Sequence, residues 1–94
     1  MSFDYDLSDE LKEILKKLRS RDPKKVEIIN KKIKQIVRLD EYTIEHFKNL
    51  RNEMKDLKRV HIDQHFVLTF HYDKKKKFIT FEDFDHHEKV YGKR

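Results

Sequence analysis

Near the N-terminus, Phe3, Tyr5 and Leu7 alternate with Ser2, Asp4 and Asp6, which predicts a short half-buried strand. The period then lengthens. Leu7, Leu11, Ile14, Leu15 and Leu18 recur at helical spacing, with Lys12, Lys16, Lys17 and Arg19 between them. Asp6 or Ser8 can cap this helix, and Asp9 and Glu10 suit its positive end. Arg21-Asp22-Pro23 ends it and begins another, because Asp22 can cap and Pro23 needs no amide donor in a first turn. Val26, Ile29, Ile33, Ile36 and Val37 form the second apolar stripe. Together these segments predict an amphipathic helical hairpin over residues 8–39, too short and irregular for a free-standing coiled coil.

Residues 40–56 are polar and irregular, with a further helical turn expected near Ile44–Leu50. From Leu57 the period falls to two. "LKRVHI" sets Val60 and Ile62 against Arg59 and His61, and "HFVLTFHY" sets Phe66, Leu68, Phe70 and Tyr72 against His65, Thr69 and His71. Asp63-Gln64 joins these strands, "DKKKK" makes a charged turn, and "KFITFEDF" supplies one more strand. The order is β-α-α-β-β-β: an α+β domain with an N-terminal strand and a two-helix hairpin packed on a small, mainly antiparallel sheet. Residues 1–94 read as one domain without linker or repeat. The sheet face away from the helices is expected to be open, and to collect Arg59, His61, His65 and His71. Polar-out alternation is the ordinary solvated face of an antiparallel sheet; cations, imidazoles and aromatics on it also suit RNA.

Composition narrows the chemistry. The chain is 44% charged, with 23 Lys and Arg against 18 Asp and Glu, a net charge of +5. That surplus favours a polyanionic partner, although a merely soluble surface would look the same. Without cysteine there is no disulfide and no thiolate ligand. No apolar run approaches a membrane span and no signal-peptide core is evident, so a cytoplasmic location is expected.

Five of the six histidines (His46, His61, His65, His71, His86, His87) follow residue 60. Imidazoles titrate near neutral pH and can act as general acid and base, and Arg59, Lys58, Lys55 and Lys89 could hold phosphate. A metal site fits less well. His86 and His87 diverge on either a strand or a helix, and no His-x-x-x-His lies clearly on one helix. No cofactor is expected. Lys74, Lys75, Lys76 and Lys77 read equally as a hairpin tip guarded by charge or as a phosphate-contacting finger.

The second half, "LRNEMKDLKRVHIDQHFVLTFHYDKKKKFITFEDFDHHEKVYGK", resembles the RelE/YafQ branch of the RelE/ParE toxin superfamily of type II toxin–antitoxin systems. The resemblance rests on Leu50 with "MKDLKRVHI", the strands "FVLTF" and "FITFE", and the closing His87, Tyr91 and Gly92. It implies a ribosome-dependent mRNA endoribonuclease that leaves 2′,3′-cyclic phosphate and 5′-hydroxyl ends by acid/base chemistry without a metal. It also implies a cognate antitoxin, in a heterodimer or heterotetramer. Carried over by position, His87 is the general acid, and His61 a base or phosphate ligand. Phe66 is an aromatic near the scissile nucleotide, Tyr91 a stacking or positioning group, and Arg59 and Lys58 are basic residues of the catalytic strand. The chain departs from the pattern at His65, where an acid is usual, and at Asp83, where a base is usual. Lys48 also replaces an upstream histidine, with His46 two positions earlier. The general base therefore stays open among His61, His65 and His46, and Lys48, His46, Lys55 and the hairpin lysines are candidate RNA or ribosome contacts. A ParE-like gyrase inhibitor and a catalytically idle RNA-binding domain are the alternative readings.

Overall fold

The alternating N-terminal segment forms strand β1 (Asp4–Leu7), and the chain turns from it directly into helix α1 (Asp9–Arg21). Ser8 makes that turn, with its Oγ accepting from the Leu11 amide at 3.0 Å. Asp22 then closes α1 through its own amide and opens helix α2 (Pro23–Val37) by accepting from the Lys25 amide at 3.1 Å. Helix α2 is rich in β-branched residues, which are indifferent helix formers. Packing decides it: Val26, Ile29, Ile33, Ile36 and Val37 are all buried. After a short helix α3 (Glu41–Glu45), the sheet continues with β2 (Lys58–Ile62), β3 (Phe66–Asp73) and β4 (Phe78–His86). This computed structural model describes residues 2–47 and 57–88.

The four strands lie in the order β1-β4-β3-β2, antiparallel except for the parallel β1–β4 pair. Leu11, Leu15, Ile29, Ile33 and Ile36 from the helices meet Leu68, Phe70, Ile79 and Phe81 from the sheet. Phe70 and Phe81 are fully buried, with ring centroids 5.7 Å apart. The β-α-α-β-β-β order and the α+β class are those the periodicity predicts. Among the described residues, no helix is long and apolar enough to cross a membrane.

The register carries one irregularity. Thr69 pairs with Asp83, but Phe70 pairs with Phe81, so Glu82 is an extra residue in β4. It shifts the inward set from Ile79 and Phe81 to Phe84. Ser8 is tied to this bulge: its amide donates to the Phe81 carbonyl at 2.8 Å and its hydroxyl to the Glu82 carbonyl at 2.6 Å.

Three expectations are corrected. The helical turn near 44–50 begins earlier, at Glu41, because Asp40 caps it by accepting from the Thr43 amide at 2.7 Å; residues 48–50 lie outside the described residues. His65 belongs to the β2–β3 turn, not to the strand. That turn spans three residues and starts at Asp63 with a left-handed φ of 63°, which aspartate tolerates better than most. The sheet face away from the helices is neither fully open nor basic. Val67 and Thr69 on it are buried, and cross-strand pairing sets Asp83 beside Thr69, Asp85 beside Val67 and Asp6 beside Thr80. Its basic groups lie on the β2 side, at Arg59 and His61.

Ser8→Ala removes one cap and one tie to the bulge. The expected loss is about 1–2 kcal/mol, which lowers the thermal midpoint of a domain this size by roughly 4–8 °C per kcal/mol. Thermal unfolding checks this, and an unchanged midpoint would remove Ser8 from the role.

Candidate active site

Strand β2 alternates, so Ile62 is buried among the helices and His61 projects from the opposite face. The chain then turns through Asp63, Gln64 and His65 and returns as β3. Strand β4 pairs with the whole length of β3, as far as His86 opposite Phe66. The next amide, of His87, donates to the His65 carbonyl at 2.7 Å. This bond folds the end of β4 over the turn and brings the His87 ring against His61, with centroids 5.4 Å apart and planes inclined by 23°. His61, Gln64, His65, His86, His87 and Glu88 line an open cleft of about 440 Å³.

The charge state of His61 follows from its surroundings. Burial first, then the Arg59 guanidinium, then the neighbouring His87 ring push its pKa below the ordinary histidine value. At neutral pH it is therefore an uncharged imidazole, able to accept a proton. Arg59 sits two residues back on the same face and supplies a permanent positive charge.

The turn is held from the helical side. Lys25 Nζ lies 2.8 Å from Asp63 Oδ2 and 4.6 Å above the Phe66 ring, with only 14% of its side chain exposed. Hydrogen bonds from Lys25 and from the Gln64 amide keep the Asp63 carboxyl below its usual range. Ion pair and cation–π contact together fix the turn that carries His65.

The remaining sequence candidates fall elsewhere. Phe66 shares the helix-side face with Ile62, opposite to His61. It stacks on Phe84 at 4.9 Å and meets His86 at 4.4 Å. Lys58 donates to the Glu45 and Phe47 carbonyls at 3.1 and 3.3 Å, joining α3 to β2, and burial lowers its pKa against the opposing pull of Glu45. His46 packs on Tyr42 at 4.2 Å, with Nδ1 2.6 Å from the Tyr42 carbonyl oxygen, and does not line the cleft. Lys74 and Lys77 pair with Glu45 and Glu41, each at 3.0 Å. Lys75 and Lys76 are exposed on the same hairpin tip. That tip follows Asp73, at the far end of β3 from Phe66, roughly 23 Å away at ~3.3 Å per residue. Lys48, Lys55 and Tyr91 lie outside the described residues. Among the described residues, no group of three or more His, Asp or Glu side chains could hold a metal ion.

The structure thus brings together His61, His65 and His87, with Arg59 on the same strand as His61. Pattern reading missed Gln64, His86 and Glu88 in the cleft lining, and the Lys25–Asp63 tie. A mixed four-stranded sheet under a helical hairpin, with His61 of edge strand β2 stacked on His87 just past the end of β4, defines a small α+β domain. The comparisons place it more narrowly. The chain is 42% identical over 92 residues to "Putative toxin RelE4" of Methanocaldococcus jannaschii, covering 98% of this chain and 94% of that one. It is 41% identical over 85 residues to an "Uncharacterized protein" of Methanosarcina mazei, covering 90% and 94% of the two chains. No family model and no solved structure matches. The chain belongs to the RelE toxin family.

Because protonating His61 is harder in the folded chain, its contribution to stability is present above the ordinary histidine pKa. That contribution is lost as pH falls through the lowered folded value. In an NMR titration His61 is expected below the ordinary midpoint of ~6.5, and His87→Ala should move it upward. A His61 midpoint at or above the ordinary value, or one indifferent to His87, would contradict the pairing.

Proposed function

We propose that this protein is the toxin of a type II toxin–antitoxin pair, and that it cuts mRNA on the ribosome by acid/base chemistry at His61 and His87. The observation that carries the reading is the His61–His87 contact. Two imidazoles 5.4 Å apart can address one phosphodiester together.

His61 is the better base, because its lowered pKa leaves it uncharged at neutral pH. It takes the proton of a ribose 2′-hydroxyl as that oxygen attacks phosphorus. A bond forms between the 2′-oxygen and phosphorus, and the bond from phosphorus to the 5′-oxygen breaks. His87 in its protonated form delivers a proton to the departing oxygen, leaving a 2′,3′-cyclic phosphate and a 5′-hydroxyl. Arg59 offsets the negative charge that builds on the phosphorane. Positive charge beside His61, from the Arg59 guanidinium and the His87 ring, adds to burial in keeping His61 uncharged. His65 and Gln64, in the turn, are placed to orient the nucleotide. The relative named as a RelE toxin supports the toxin reading. An antitoxin partner follows from it as part of this proposal.

Transcripts mapped by primer extension during induction test the reading. Discrete cuts that depend on translation support it. Supercoiling defects with intact mRNA would replace it with gyrase inhibition, and RNA binding without cuts would replace it with an idle RNA-binding domain. His87→Ala and His61→Ala should each lower single-turnover cleavage by about 10²-fold or more. Full activity in the His87 variant would remove it from the acid role.

A further inference from the structure

The positive charge of this protein is not spread evenly. The two-helix hairpin, residues 9–38, carries eleven Lys and Arg against five Asp and Glu, a surplus of six. The whole chain has a net charge of +5, so the remainder is slightly acidic. The face of the sheet away from the helices, with Asp6, Asp83 and Asp85, belongs to that acidic remainder. The lysine tip, a candidate phosphate finger by its sequence, is half neutralised, because Lys74 and Lys77 pair with glutamates of α3. A polyanion therefore meets its attraction on the helices.

One part of the hairpin adjoins the cleft. Lys25 bonds to Asp63 of the turn that carries His65, so the α1–α2 corner lies beside the histidines. Arg19, Arg21 and Lys24 are exposed at that corner, and among the described residues none of them makes an ion pair. Of the carboxylates at that corner, Asp63 is taken by Lys25, and Asp22 accepts the Lys25 amide. The first turn of α2 contains Lys24 and Lys25 and no acid. Lys24 sits at the positive end of α2, where a cation costs stability and an anion is favoured, and Arg19 and Arg21 reach the same corner from the last turn of α1.

We propose that Arg19, Arg21 and Lys24 form a phosphate-binding corner that takes the RNA backbone beyond the histidine cleft. The inference rests on the nuclease reading and names where the substrate strand runs. The corner contributes affinity without base preference, since exposed cations on phosphates position a strand and do not read it.

The test is a salt titration of the full chain binding a short RNA methylated at every 2′-hydroxyl, which cannot be cut through that group. Combining R19Q, R21Q and K24Q should flatten the slope of log K against log salt by about 2, at ~0.7 for each single-strand phosphate no longer neutralised. Combining K31Q, K34Q and R38Q removes the same charge toward the other end of α2 and should leave the slope near that of the unaltered protein. Equal flattening in both variants, or none in the first, overturns the corner. So does a first variant that binds RNA normally but fails to bind an acidic partner protein. Failure of the nuclease reading shows separately, as His61 and His87 variants without a cleavage defect. Equal thermal midpoints for the two triple variants exclude misfolding as the cause.

Discussion

The single extra residue in β4 decides what the end of the sheet presents. Side chains on a strand alternate, so one inserted residue moves every later side chain to the opposite face. Before Glu82, Ile79 and Phe81 face the helices; after it, Phe84 and His86 do. Without the bulge, Asp83 and Asp85 would turn toward the core and His86 would turn to the face of His61. With it, His86 packs on Phe66, and His87, next along the chain, is the residue that folds over the turn to reach His61. Ser8 fastens the bulge, donating to the carbonyls of Phe81 and Glu82 while it caps α1. The start of the first helix and the placement of the last histidine are thus held by one side chain.

Much of the fold is legible because two of its signals are strong. The helical stripes of α1 and α2, with Asp22-Pro23 between them, leave little freedom about where each helix ends. The alternation from Val60 to Tyr72 likewise fixes β2 and β3 and which residues are core. The bulge is present in sequence as the three-residue step from Phe81 to Phe84, which breaks a period of two. Its meaning depends on pairing with β3, which periodicity does not reveal. The acidity of the outer face is hidden for the same reason. Asp6 is far from Asp83 and Asp85 in the chain, and joins their surface only when β1 pairs in parallel with β4.

The site is legible in its residue types and less so in its partners. His61 and His87 can be named from the motif, but their contact comes from the His87 amide reaching the His65 carbonyl, a bond between backbones. The lysines are harder. Lys58 reads as a phosphate ligand in sequence, yet it serves carbonyls at the end of α3. Lys25 reads as one more surface cation, yet it is mostly covered and ties down the turn. A long flexible cation takes its role from what lies within its reach, and sequence gives only its charge.

The division of charge gives the fold a direction. A chain that gathered its cations around the histidines alone would have to hold Arg59, His61 and His87 against strong mutual repulsion. Burial already makes His61 titrate low, and the other two push it further down. Placing the surplus on the helices, outside the sheet, spares the paired imidazoles that repulsion while keeping attraction for a polyanion within reach. Exposed cations lose their influence beyond a Debye length, ~8 Å at physiological salt. Helical charge can therefore hold phosphates at the surface while leaving the titration of His61 to the groups that touch it. On the proposed reading, attraction of the strand and proton transfer fall to different residues. The Lys25–Asp63 ion pair keeps the helical corner beside the turn that carries His65.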